Sequence, residues 1–271
     1  MQNAKRAAIQ FCILHFAFCI FHLMTALLCV FAHQDDEYGV AARIARERRA
    51  GRRVLCAFLT NGAASVPSSI RDAESRTVLT NLGVEERDIY FLGSEHDVPD
   101  GSLVEHLDAA LMMLNHSMNG IALDEVLTLA WEGGHQDHDA AHLVAVAFAR
   151  QHGVPCREFP LYRGNRWGHL FRVLSPIREG GAKTRLRFRE ALHASMLAWR
   201  YRSQRKTWLG LFGESFLKLV VLRREVLHDV DPARLFNPPH ARPLFYERRF
   251  GFPWERFASA ARPFIDRHIR N

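Results

Sequence analysis

The stretch ALLCVFAHQDDE (residues 26–37) is a run of seven apolar residues that breaks abruptly into five polar ones. A continuous apolar run of this length, bounded by polar residues, reads as a strand buried on both faces. The same signal recurs in VLCAFLT (54–60), DIYFL (88–92) and EVLTLA (125–130), with a short fifth strand expected near Arg157–Tyr162. Amphipathic helical stretches lie between them, at residues 38–50, 70–82, 102–117 and 138–151. Gly51 and Gly83 close the first two, as glycine favours the left-handed conformation that ends a helix. Strands alternating with helices predict an α/β fold, a Rossmann-like open parallel sheet with helices on both faces. Neither G-x-G-x-x-G nor G-x-x-x-x-G-K-[ST] follows any of these strands, which excludes both nucleotide-binding fingerprints.

Two polar motifs sit just after strands. His33-Gln34-Asp35-Asp36-Glu37 follows the first strand, and Gly133-Gly134-His135-Gln136-Asp137-His138 follows the fourth. Ligands of open parallel sheets bind at the carboxyl ends of strands where the strand order reverses. In the order 3-2-1-4-5, strands one and four are neighbours at that reversal, so motifs roughly 100 residues apart would share one crevice. The residue types suit a mononuclear divalent metal, which takes three His or carboxylate ligands and leaves a position open. Zinc in such a site lowers the pKa of water to about 7. Of two adjacent aspartates, one can ligate while the other acts as base. Of two histidines three apart, one can ligate while the other faces a substrate carbonyl. Either motif alone would read as helix capping or a polar surface. Their matching topological positions favour a site.

The first motif resembles the AHPDDE signature of the PIG-L/LmbE-like zinc-dependent N-acetylglucosamine deacetylases. His135-Gln136-Asp137-His138 is similar to their second motif, HPDH, and Trp131-Glu132-Gly133-Gly134 looks like one branch of that family. The resemblance covers residues 26–163, with a weaker echo in Tyr201-Arg202-Ser203-Gln204. It implies zinc, or another divalent metal, held by His33, Asp36 and His138. It implies Asp35 as general base and His135 as the group that assists the oxyanion or the leaving amine. Arg71, in the helix after the second strand, matches a substrate-contacting position, and Asp97 is a candidate for sugar contact. Gln34 and Gln136 replace the proline of each motif, removing a fixed φ. Some relatives place a Tyr just ahead of the second motif to hold the oxyanion. Gly133 and Gly134 occupy that region here, leaving the task to zinc, His135 or a residue elsewhere. The implied activity is removal of the N-acetyl group from an amino-sugar conjugate.

The chain has 271 residues, 48% hydrophobic and 24% charged, which excludes a disordered or fibrous protein. Its formal net charge of +7 is unevenly divided. Residues 1–156 carry 12 basic and 19 acidic side chains, and residues 157–271 carry 24 basic and 10 acidic. The acidic part holds the motifs, and the basic part is expected to frame the same crevice and to favour an anionic or lipid-linked substrate. Residues 1–23 read as a low-complexity apolar extension or leader, including the repeat FCILHFA-FCIFHLM (11–24). The α/β core is assigned to residues 24–163, and residues 164–271 to a basic extension packed on it. That extension is expected to be helical from Ala182 to Gln204, apolar from Phe212 to Val226, and loop-like beyond Asp231, where prolines recur. Five cysteines in no C-x-x-C pair suggest reduced thiols in a cytoplasmic protein, with a peripheral membrane contact through the amino terminus as an addition. Two other readings compete. One is hydrolysis of a different amide in a small-molecule conjugate. The other is a non-catalytic protein binding nucleic acid or an anionic surface through Trp199-Arg200-Tyr201-Arg202, although no nucleic-acid motif accompanies that cluster.

Overall fold

The Ala26–Phe31 segment has no polar side chain to leave exposed, and it forms the central strand β1, with all six residues buried. The computed structural model describes residues 25–164 and 171–270. After β1, the chain forms a 3-10 turn (Asp36–Val40) and helix α1 (Ala41–Arg49), then β2 (Arg53–Phe58) and α2 (Ser68–Asn81). Next come β3 (Ile89–Tyr90), a helical turn at Leu92–Glu95, α3 (Leu107–Ser117), β4 (Leu123–Leu129), α4 (Gln136–His152) and β5 (Cys156–Phe159). These five strands are parallel in the order β3-β2-β1-β4-β5. The core therefore has the expected Rossmann-like topology, with the order reversing between β1 and β4. The Leu92–Glu95 turn falls where only a loop was expected.

The carboxyl-terminal part adds more sheet than its sequence suggests. A hairpin of β6 (Tyr162–Gly164) and β7 (Phe171–Val173) follows β5. Then β8 (Ala182–Arg185) pairs with β9 (Arg224–Asp229), which itself lies antiparallel to β5. The sheet thus becomes a mixed one of seven strands. Residues 182–185 are a strand rather than the start of a helix, and the apolar segment ends in a strand at Arg224. Neither strand has an apolar run of its own, and pairing alongside β5 of the parallel sheet supplies the order. Between them lie α5 (Phe188–Met196) and α6 (Arg205–Phe216).

Beyond Asp231, the expectation of a loop-like tail is corrected by α7 (Phe245–Phe250) and by α8 (Trp254–His268). Pro253 stands before the first turn of α8, where its missing N–H costs nothing, although Pro263 lies inside the helix. The buried residues Phe257, Ala261, Phe264 and Ile265 fall on one helical face. That face packs on α4, which is buried continuously from Gln136 to Ala149.

Ion pairs join the two parts. Arg256 meets Glu105 and Arg267 meets Asp108, both at 2.8 Å, while Arg178 meets Glu158 at 2.8 Å and Arg46 meets Glu225 at 2.7 Å. Cys29 and Cys56 are buried free thiols and Cys156 is half-buried. Cys12, Cys19 and the amino-terminal repeat lie outside the described residues. Among the described residues, no helix is long and apolar enough to cross a membrane.

A carboxylate locks the chain after β5 over the turn after β4. Glu132 Oε1 accepts hydrogen bonds from the backbone N–H groups of Leu161 (2.8 Å) and Tyr162 (3.0 Å). Asp139 Oδ1 in turn accepts from the N–H groups of Glu132 and Gly133, each at 3.2 Å. Burial pushes both carboxyls up to about 8. They therefore stay protonated in the folded chain well above the pH at which they ionise when unfolded. Stability from this pair is complete below the unfolded values and falls as pH rises toward 8. Glu132→Gln keeps the acceptor oxygen and removes one titration. The fall in stability between about pH 5 and about pH 8.5 should shrink by several kcal/mol, up to about 4. Thermal melts across that range check this, and an unchanged slope contradicts it.

Candidate active site

Strand β1 ends in a turn whose geometry is set by its own carboxylates. Asp36 Oδ2 accepts from the backbone N–H of Ala32 (3.0 Å) and of His33 (2.8 Å), folding the motif back on the strand end. Glu37 Oε2 accepts from Asp35 N–H at 2.9 Å. Asp35 itself has φ of 120°, a conformation that side-chain-bearing residues rarely adopt. Its carboxylate lines the cavity at the strand ends and meets Arg71 Nη2 at 3.1 Å. Arg71 begins the buried face of α2 and also donates to the carbonyls of Gly62 and Gln34. Its positive charge is thereby shared with the first motif.

The second motif opens α4. His135 is the N-cap, and its Nδ1 accepts from Asp137 N–H at 3.1 Å. With Nδ1 accepting, the neutral ring carries its proton on Nε2. One turn on, His138 Nε2 lies 3.1 Å from Asp36 Oδ1. The β1–β4 pairing therefore brings His33, Asp36 and His138 together, with one ligand atom from each within 4.8 Å of the others. All three are buried, and His138 Nδ1 has no hydrogen-bond partner among the described residues. Two imidazoles and a carboxylate, buried and incompletely paired, fit a zinc-type ion. A second group, His33, Asp100 and His135, meets the same distance criterion and shares His33 with the first.

The cavity has a volume of about 550 Å³ and is lined by both motifs, Arg71, Asp100 and Tyr162. Its outer wall comes from the basic part of the chain, through Trp208 and Leu211 of α6 and through Arg249 and Phe250. Residues 28–149 match a family model described as "PIG-L: GlcNAc-PI de-N-acetylase". Over these residues, most of the α/β core, the chain is similar to the PIG-L family.

Solved structures of PIG-L-type deacetylases share the fold. The zinc-inhibited form of teicoplanin deacetylase Orf2 has a TM-score of 0.58 at 15% identity, covering 76% of this chain and 99% of that one. A40926 pseudoaglycone deacetylase Dbv21 has a TM-score of 0.60 at 16% identity, covering 81% and 100%. The N,N'-diacetylchitobiose deacetylase of Pyrococcus horikoshii has a TM-score of 0.52 at 17% identity, covering 81% and 87%. No curated protein matches the chain.

Charge within this core is sharply partitioned. Burial raises Asp35 to about 6, with Arg71 opposing and Asp36 adding to the rise. Burial would also raise Asp36, but His138 and His33 hold it at about 2. Burial and the neighbouring His33 depress His135 to about 3, so its ring is neutral. His33 is raised well above its ordinary value despite burial, because Asp100, Asp137 and Asp36 surround it.

Several residues that sequence reasoning passed over stand at the site. Asp100 lies 3.4 Å from His33 Nε2 and 3.6 Å from Arg71 Nη1. Asp97, the residue singled out in that loop, is exposed, accepts from Asn61 Nδ2 at 3.3 Å and is not among the cavity-lining residues. Asp137 accepts from the N–H groups of Gly101 (2.6 Å) and Leu103 (3.1 Å) and lies 3.2 Å from His33. It ties the Asp100 loop to the second motif. Tyr162 reaches the cavity from β6, its ring 5.1 Å from that of His138. A Cβ at Gly134 would collide with the Tyr162 carbonyl oxygen, so the glycine permits this approach. Gln34 does not slacken its loop: its Nε2 donates to Asp72 Oδ1 at 2.6 Å, tying the motif to α2. A Pro-Asp-Gly turn (99–101) was the one sequence signal for Asp100, and nothing in sequence pointed to Tyr162.

Asp100→Asn should weaken zinc binding by about tenfold or more, as loss of an outer carboxylate partner of a ligating histidine does. Asp97→Asn should leave zinc affinity unchanged and stability within about 0.5 kcal/mol. Calorimetric zinc titration compares the two, and equal losses at both positions would contradict the arrangement.

Proposed function

We propose that this chain is a metal-dependent N-deacetylase that hydrolyses the acetamido group of an N-acetylglucosamine-type amino-sugar conjugate. The observation that carries the reading is the convergence of His33, Asp36 and His138 beside the cavity-facing Asp35. The PIG-L match over residues 28–149 supports it, and deacetylases among the structural relatives share the fold. Zinc or another divalent ion, held by those three residues, would supply Lewis-acid polarisation of the amide carbonyl.

The remaining chemistry belongs to the chain. Asp35 takes a proton from the attacking water as the water oxygen bonds to the acetyl carbon. His135 presents Nε2–H to the oxygen on which negative charge develops, and its neutral ring makes it a hydrogen-bond donor there. Tyr162, which lines the cavity beside His138, is a second donor for that oxygen in place of the residue expected ahead of the second motif. The C–N bond then breaks, the amine leaves with the proton returned from Asp35, and acetate is released. Arg71 orients Asp35 through its 3.1 Å contact. The apolar wall of Trp208, Leu211 and Phe250 suits the aglycone, and Arg249 favours a conjugate carrying an anionic group.

Acetate release from N-acetylglucosamine conjugates, with and without chelator, tests the reading. Asp35→Asn should retain its zinc while losing at least about 10²-fold in turnover. Undiminished turnover removes Asp35 from the role of base, and a zinc-loaded parent enzyme that releases no acetate from any such conjugate overturns the assignment.

A further inference from the structure

The hairpin of α5 and α6 carries a surface that the cavity does not use. Phe188, Leu192 and Met196 are exposed at successive four-residue steps along α5, and Trp199 continues their line in the following 3-10 turn. The other face of α5 is already buried through Ala191, Ala194 and Ser195. Packing on the core therefore does not account for the exposed line. The Trp199 ring lies 4.9 Å from that of Phe212, and Phe212 lies 5.8 Å from Phe216, which carries the apolar surface across to α6. Helix α5 also packs against the turn Leu217–Val221, where Leu217, Val221 and Leu222 are exposed again. Leu209, on the outer side of α6, is 68% exposed. A single exposed leucine is ordinary, but a connected group of this extent marks an interaction surface.

Charge identifies the partner. Between Lys183 and Arg224 the sequence holds eleven basic side chains and two acidic ones, Glu190 and Glu214. Glu190 is engaged by Arg49, and Glu214 accepts from Ser175. Among the described residues, Arg189, Arg200, Arg205, Lys206, Lys218 and Arg224 form no ion pair. Cationic groups bordering an apolar helical surface match the boundary of an anionic bilayer, where apolar side chains enter and cations meet lipid phosphates. A second copy of the chain fits poorly, because two-fold pairing would set the same cationic rim against itself.

We propose that the α5–α6 hairpin is a peripheral docking surface for an anionic lipid bilayer. The inner side of α6 supplies Thr207, Trp208 and Leu211 to the cavity, so docking holds the cavity about one helix diameter, roughly 10 Å, from the headgroups. The inference goes beyond the proposed hydrolysis, since vesicle binding is measured with no substrate present.

Co-sedimentation of the full-length protein tests it, using vesicles of phosphatidylcholine alone or with about 30% phosphatidylglycerol. The expected result is at least about tenfold stronger partition onto the anionic vesicles, weakening as salt is raised. The double variant Met196→Glu with Leu209→Glu should lose at least about tenfold in partition while keeping the parent's melting temperature and circular dichroism. Equal binding to neutral and anionic vesicles, or undiminished binding of the double variant, overturns the proposal. A concentration-dependent dimer abolished by the same double substitution would assign the surface to a second copy and likewise overturn it.

Discussion

The parallel backbone ladder between β1 and β4 is the constraint on which the site depends. Val30 is in register with Thr128 on one side and with Ala57 of β2 on the other, and the three strands end close together. Because the chain leaves β1 toward β2 and β3 before returning to β4, the turns after β1 and β4 diverge to opposite sides and open a crevice. His33 and Asp36 hang from one turn and His138 from the other. A slip of one residue in this register would turn every buried strand side chain to the opposite face. It would also carry the two halves of the proposed metal site apart.

The uneven charge of the chain has two physical outcomes. Part of it is structural: arginines of the carboxyl-terminal part neutralise Glu105, Asp108 and Glu158 of the core. These pairs are mostly surface contacts of modest individual strength, so the apolar packing of α8 on α4 carries more of the docking. Among the described residues, part of the rest forms no ion pair and lies on the α5–α6 hairpin, whose inner side lines the cavity. The same segment thus completes the cavity wall and bears the outward cationic surface.

The two motifs were legible because His and carboxylate side chains cluster just after two strands, and because apolar runs announce buried parallel strands. Asp100 and Tyr162 were not, since each arrives through a crossing of loops that no local period encodes. Asp100 is brought in by backbone N–H groups of its own loop binding Asp137, a contact across 36 residues of sequence. The choice of Asp97 named the right loop but a residue whose side chain turns toward Asn61. Strands β8 and β9 were missed because short strands rich in charged residues have no apolar run to betray them. Helix α8 shows an apolar face in its sequence, at Phe257, Ala261, Phe264 and Ile265. The prolines recurring beyond Asp231 argued against a helix there, although Pro253 stands before the first turn and costs nothing.

The central claim, that the β1 and β4 strand ends converge on one metal site, is tested most directly by anomalous diffraction at the zinc absorption edge from crystals grown with zinc. The expected result is a single strong peak bounded by His33, Asp36 and His138. A peak centred instead among His33, Asp100 and His135, or none in the cavity at all, would contradict it.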